Sequence, residues 1–329
     1  MPTASRLAGE YTETELHRAQ IETASRPCSS LKELAEQLAE HRSALAQAAQ
    51  PQGIRVVALG TFPGSMGESG RLITEKHRYE AMLEANSLIA REQLICGCHV
   101  HVTVEDDRDR VRVLNQIRAD LHCLIALSAN SPFWEGEDSG FSSFRTEVWT
   151  RWPSAGPPGY FADIEHYSQL IDQLVRAEVI LDEGMAYWDV RLSRQYPTIE
   201  IRIADVGLEV RDSVTIAGLA RALVMNCLRE SDRGDDLRPE LLRAASWKAA
   251  RTAVRGDLID PRNGVAVPAQ DYFDALLTRL SPDLSESGDL HDIEEGIHRI
   301  MQIGTGADRQ KAAAGDSSDL EAVVDLATL

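Results

Sequence analysis

Residues 95–104 read Ile-Cys-Gly-Cys-His-Val-His-Val-Thr-Val. The alternation has the period of a β-strand, so His99, His101 and Thr103 share one face while Cys96, Cys98, Val100, Val102 and Val104 share the other. Two imidazoles on one strand face can ligate a metal or move protons, and they can equally be hydrogen-bonded sheet residues. This strand alone leaves both readings open. Cys96 and Cys98 project from the opposite face, which makes a mixed Cys/His zinc site poor in geometry.

The same pattern recurs elsewhere. Tyr187, Asp189 and Arg191 alternate with Trp188 and Val190; Thr198, Glu200 and Arg202 alternate with Ile199, Ile201 and Ile203, and Asp205 closes the run. The short connection Ser193–Pro197 predicts that these two strands are a hairpin or near neighbours. Residues 14–23 are expected to form another strand, with Arg18, Gln20 and Glu22 facing away from Ala19 and Ile21. A merely solvated face would carry lysines, and these segments carry none. Their carboxylates, imidazoles and arginines are the types that hold hard divalent metals and clamp phosphate or carboxylate groups.

Helices must position these strands. Ser30-Leu31-Lys32-Glu33 has capping-box form and opens a helix that runs to Pro51. Ile54–Leu59 reads as a short strand, followed by a Gly/Ser-rich loop over 60–70 that lacks the Gly-Lys-Ser/Thr ending of a phosphate-binding P-loop. Further helices are predicted over 74–93, 108–127, 164–179, 207–230, 238–255, 268–280, 286–303 and 319–328, with a loose loop at 304–318. In the 108–127 helix, Val113, Leu114, Ile117, Leu121, Leu124 and Ile125 make a core stripe. Residues 129–162 are aromatic-rich but weakly periodic, which suits a ligand-covering loop.

The chain has 329 residues, 43% of them hydrophobic and 26% charged. It is expected to form one α+β domain over 1–329. A formal charge of −18 argues against nucleic acid as a partner, but not against a nucleotide whose phosphates are bridged by a divalent metal. No run of about 18 apolar residues is present, so no membrane span is expected. No secretory signal is visible, and five cysteines without CxxC spacing suit reduced thiols in the cytoplasm. The oligomeric state stays open, a homodimer being compatible with the sequence.

Taken in order, six segments resemble the type 2 glutamate–cysteine ligase (carboxylate–amine ligase) family over about Glu10 to Leu326. They are Gln20-Ile21-Glu22-Thr23-Ala24, Leu59-Gly60-Thr61, Gly97-Cys98-His99-Val100-His101-Val102, Ala129-Asn130-Ser131-Pro132, Tyr187-Trp188-Asp189-Val190-Arg191 and Ile199-Glu200-Ile201-Arg202-Ile203-Ala204-Asp205. The resemblance implies a glutamine-synthetase-like fold, a curved antiparallel sheet whose polar face holds ATP, Mg2+ and substrates and whose back is covered by helices. It implies activation of a carboxylate, the γ-carboxyl of a glutamate-like acid, as an acyl phosphate, which cysteine or another amine attacks. By resemblance Glu22, His99 and Glu200 are metal or phosphate contacts, with Glu15 as a further acidic candidate, and Arg202 contacts phosphate. His101, Asp189, Arg191 and Asp205 line the site; Arg191 and Asp205 join Arg202 as catalytic candidates, and His101 and Asp189 join it as nucleotide-binding ones.

Two departures stand against the family pattern. The family opens with a Gly-Val-Glu-x-Glu strand whose glutamates ligate metal, and Met1 falls beyond it; a start assigned too far downstream is the expectation. Phe62 occupies the position after Gly-Thr where the family has His. A catalytically inactive relative and a metal-dependent hydrolase are the alternatives. The hydrolase needs more histidines at strand ends, whereas His17, His41, His77, His122, His166, His291 and His298 mostly fall in helices or loops.

Overall fold

The structure, a computed structural model, describes residues 12–67, 72–231, 237–316 and 318–329. The end of the predicted 60–70 loop lies outside them. Short 3₁₀ turns aside, the first half runs β1 (Thr12–Thr14), β2 (Ile21–Thr23), α1 (Leu31–Ala49), α2 (His77–Asn86), α3 (Leu88–Arg91), β3 (Gly97–Thr103), α4 (Asp107–Ile117), α5 (Leu121–Ser128), β4 (Phe133–Trp134), β5 (Glu137–Asp138), α6 (Phe144–Trp149) and α7 (Ile164–Arg176). The second runs β6 (Val190–Leu192), β7 (Thr198–Asp205), α8 (Val210–Arg229), α9 (Pro239–Thr252), β8 (Asp257–Asp260), β9 (Val265–Pro268), α10 (Ala269–Ser287), α11 (Leu290–Ile303), α12 (Gly306–Ala314) and α13 (Leu320–Ala327).

At the centre β3, β7 and β6 form an antiparallel sheet in that order. Alternation fixes its two faces. Val100, Val190, Leu192, Ile199, Ile201 and Ile203 are buried in the main core with Leu114 and Ile117 of α4, Leu124 and Ile125 of α5, and Leu219 and Leu223 of α8. Each fully buried aliphatic side chain of this kind contributes about 1.5–3 kcal/mol. The helices therefore back one face of the sheet, and the polar residues are left on the other. The architecture is α+β.

Several elements differ from the sequence pattern, each for a local reason. Residues 14–23 do not make one strand: the chain turns between β1 and β2, which pair antiparallel with Glu13 opposite Glu22. The predicted 74–93 helix breaks at Ser87, whose φ is 47°. The 108–127 helix starts on the Asp106 cap, whose carboxylate accepts from the Arg108 and Asp109 amides at 2.8 and 3.1 Å. It then breaks before Leu121, where the Asp120 carboxylate turns inward to accept from Arg262 at 2.6 Å and Arg279 at 2.7 Å. Residues 54–59 form no strand but a clasp with the chain's last residues: Ala58 N donates to Ala327 O and Leu329 N to Val56 O, each at 3.0 Å. The 304–318 segment contains α12, opened by a Thr305–Asp308 capping box. The β8–β9 hairpin was not anticipated.

Candidate active site

Across the open face of the sheet, His101, Glu200 and Arg191 lie in one row, paired through β3, β7 and β6. Glu200 is 4% exposed. Arg191 grips it with two prongs, Nε to Oε2 at 2.7 Å and Nη2 to Oε1 at 3.1 Å, and Arg202 Nη1 also donates to Oε1. Burial pushes the Glu200 carboxyl up, but the Arg202 and Arg191 guanidiniums outweigh it and hold the group below the usual carboxylate range. Arg191 Nη1 further donates to Gly184 O at 2.9 Å and Ala186 O at 3.3 Å, so its donors serve the scaffold. Arg202 is different: among the described residues its buried Nε has no partner, and its guanidinium lies 5.7 Å from the Trp149 ring.

At one end of this face a β-bulge decides who points where. Cys98 pairs with Ala204 but Val100 with Ile201, so Arg202 and Ile203 together oppose His99. The extra residue turns Asp205 toward the polar side, opposite Gly97. There Asp205 is covered. Its Oδ2 accepts from Asn130 N at 2.8 Å and Ser131 Oγ at 2.7 Å, and its Oδ1 from Ser143 Oγ at 2.9 Å. Arg145 Nη1 lies 3.7 Å from the same carboxylate and donates to Ile203 O, while Nη2 donates to Arg202 O. A Cβ on Gly97 would sit 2.2 Å from Arg145 Nη2, and one on Gly60 would sit 3.0 Å from Asp205 Oδ2. Gly60, Gly97, Asn130, Ser131 and Asp205 are thus one buried keystone. The side chain of Asp205 is 0% exposed, and the expectation that it acts on a substrate is corrected: its oxygens are already taken by the protein.

The histidines part company. His99 keeps 29% of its side chain exposed. Desolvation and the Arg202, Arg145 and Arg191 charges hold its ring well below the usual histidine range, hence neutral. Its Nδ1 lies 3.5 Å from Arg202 Nη1. His101 Nδ1 meets Thr198 Oγ1 at 2.9 Å, the satisfied sheet contact. Asp189, 6% exposed, sits opposite Arg202, whose amide donates to its carbonyl at 2.8 Å.

Glu15 comes from the β1–β2 turn and Glu22 from β2 itself, and Gln20 between them anchors the turn by donating to Ile95 O at 2.5 Å. A side-chain hydrogen bond with Glu15, desolvation and the Glu15 charge push Glu22 up to about 8. The neighbouring Glu15 and burial favour a proton on Glu22, against the opposing pull of the Arg202 charge. Among the described residues no three His, Cys, Asp or Glu side chains converge on a metal position. The four expected ligands do not gather at one point among the described residues. Glu200 is committed to two arginines and His99 faces one of them, Arg202, while Glu15 and Glu22 remain together. That pair fits Mg2+, which commonly takes one or two protein carboxylates and fills its shell with phosphate oxygens and water. The histidine set a hydrolase would need does not form either.

Sequence reasoning missed Arg145 and Trp149, and read Tyr187 as a face residue without assigning it to the site. Trp149 lies 5.8 Å over the Arg145 guanidinium and stacks on Tyr187 with centroids 4.8 Å apart. All three come from, or pack under, the segment read as a covering loop. Much of that segment is core instead: Phe133, Trp152 and Phe161 are buried. The available signal was Arg145 and Trp149 spaced i, i+4 in a short helix.

The model of "Glutamate-cysteine ligase family 2 (GCS2)" matches residues 3–325. The chain is 45% identical over 315 residues to a protein of Frankia alni named as a putative glutamate–cysteine ligase 2-2, covering 95% of this chain and 82% of that one. A similarly named protein of Rhodopirellula baltica is 40% identical, with 94% and 84% covered. Among solved structures, a glutamate–cysteine ligase of Francisella tularensis in complex with AMP superposes with a TM-score of 0.74 at 11% identity, covering 98% of this chain and 81% of that one. At that identity the likeness speaks for the fold.

Proposed function

The chain belongs to the glutamate–cysteine ligase family 2, and on that premise we propose that it is an ATP-using carbon–nitrogen ligase that joins the γ-carboxyl of glutamate to the amine of cysteine. The observation that carries this reading is Arg202. It is buried, it keeps an unpartnered Nε, and Arg191 shares the task of neutralising Glu200, so its remaining donors are available to a phosphoryl group. His99 beside it is neutral and able to donate or accept a hydrogen bond. Trp149 and Tyr187 wall the site against water, which would otherwise hydrolyse an activated acid.

In the proposed reaction a γ-carboxylate oxygen attacks the terminal phosphorus of ATP and the bond to ADP breaks. The amine nitrogen then attacks the acyl carbon, the carbon–oxygen bond to phosphate breaks, and phosphate leaves. Glu15 and Glu22 would hold Mg2+, which when bound neutralises the triphosphate charge. The protein's own part is to fix Arg202 and His99 beside the transferring group before it arrives, so that little reorganisation is needed as charge develops.

The test is product stoichiometry. Purified protein given ATP, Mg2+, glutamate and cysteine should release ADP, phosphate and amide in equal amounts; ATP turnover without amide would overturn the reading. Arg202→Lys keeps a charge but loses the planar fork, and should lower kcat by about 10²–10³-fold. Glu22→Gln should raise the Mg2+ concentration needed for half-maximal rate.

A further inference from the structure

One acid on the polar side of the sheet is unlike the others. Glu200 accepts from two arginines and Asp205 from three donors, whereas among the described residues nothing donates to either oxygen of Asp189. Its backbone is clamped on both sides, by its own amide to Gly156 O at 2.9 Å and by the Arg202 amide to its carbonyl at 2.8 Å. Alternation along β6 places its side chain with that of Arg191, since Val190 and Leu192 enter the core. It therefore stands on the reacting face, opposite Arg202 and two residues from Tyr187, whose ring packs on Trp149. The residue is 6% exposed, too enclosed for solvation to explain a bare carboxylate. A carboxylate on so enclosed a residue, left without donors from the protein, marks a place that a ligand can complete.

We propose that Asp189 receives the ammonium group of the incoming amine and takes one of its protons, leaving a neutral nitrogen to attack the acyl phosphate. This rests on the ligase reading given above. An ammonium fits the place on two counts: it donates in three directions to an acceptor that has no donors, and the enclosure favours a carboxylate paired with a cation over a bare one. The balance is simple. The ammonium gives one proton to the Asp189 carboxylate; the neutral amine forms the carbon–nitrogen bond; its second proton leaves with phosphate; Asp189 then returns its proton to water. Burial pushes the Asp189 carboxyl up to about 7, which matches the task of accepting a proton near neutral pH.

The experiment compares two nucleophiles. Hydroxylamine is a weakly basic amine, already neutral at neutral pH, and needs no base to attack an acyl phosphate. Asp189→Asn should keep ATP-dependent hydroxamate formation from glutamate, keep the KM for glutamate, and lose amide formation with cysteine by about 10²–10⁴-fold. Asp189→Glu should recover part of that loss. If Asp189→Asn retains both products, the proposal is overturned. Loss of both with a raised glutamate KM also overturns it, because Asp189 would then serve the acid; so does loss of both with a lowered Tm, because its role would be structural. A wild-type protein that forms no hydroxamate would sink the ligase reading itself, a result distinguishable from all of these.

Discussion

Single residues in this site divide into those that spend their hydrogen bonds on the protein and those that hold them back. Asp205 is the clearest of the first kind. Asp205→Ala would leave the Asn130 amide and two serine hydroxyls without their acceptor and the Arg145 guanidinium without its counter-charge, and should cost about 3–5 kcal/mol in urea unfolding. Asp189 is of the second kind, and its cost depends on pH. Burial raises its carboxyl from 3.8 to about 7, so between those pH values the folded protein holds a proton that the unfolded chain has released. Stability must then fall as pH rises through that window, by up to about 4 kcal/mol for this residue. Asp189→Asn removes that slope. Its advantage over the wild type in urea midpoint should be small at pH 4 and largest at pH 8, and an equal gap at both would contradict the assignment.

Among elements, β3 is useful for what its first residue lacks. Gly97→Ala places a methyl group on the Arg145 guanidinium, which is itself buried against Trp149. The arginine must move, and kcat should fall at least tenfold while far-UV circular dichroism is unchanged; a fully active variant would show that Arg145 placement is immaterial. How much of this was legible beforehand follows from the kind of signal each element carries. The β6–β7 hairpin and the polar faces that carry His101, Glu200 and Arg191 could be read because two-residue alternation survives in the sequence; the register that sets the three in one row could not. Asp205 could not, because a bulge adds one residue and bulges leave no mark in alternation. The helix break before Leu121 was hidden for a related reason. The apolar stripe continues through it, and the cause is a long-range ion pair of Asp120 with Arg262 and Arg279. Arg145 and Trp149 escaped because α6 is too short to show a period.

At the scale of the whole molecule the site hangs from residues far away in the chain. Gln310 of α12 donates to both the carbonyl and the side-chain oxygen of Asn130, at 2.9 and 2.7 Å, and Asn130 in turn donates to Asp205. The last residues clasp 56–58, immediately before Gly60. Removing residues 320–329 should therefore lower the Tm and the activity together; a truncated protein with unchanged kinetics would refute the linkage. No helix among the described residues is long and apolar enough to cross a membrane. During synthesis the clasp has a further meaning. Residues 56–58 leave the ribosome long before 327–329 exist, so the keystone around Asp205 stays without its final support until those residues have cleared the exit tunnel. A nascent chain stalled between Asp205 and residue 327 would carry every site residue from Glu15 to Asp205 and still be unfinished as a catalyst, its competence timed by translation.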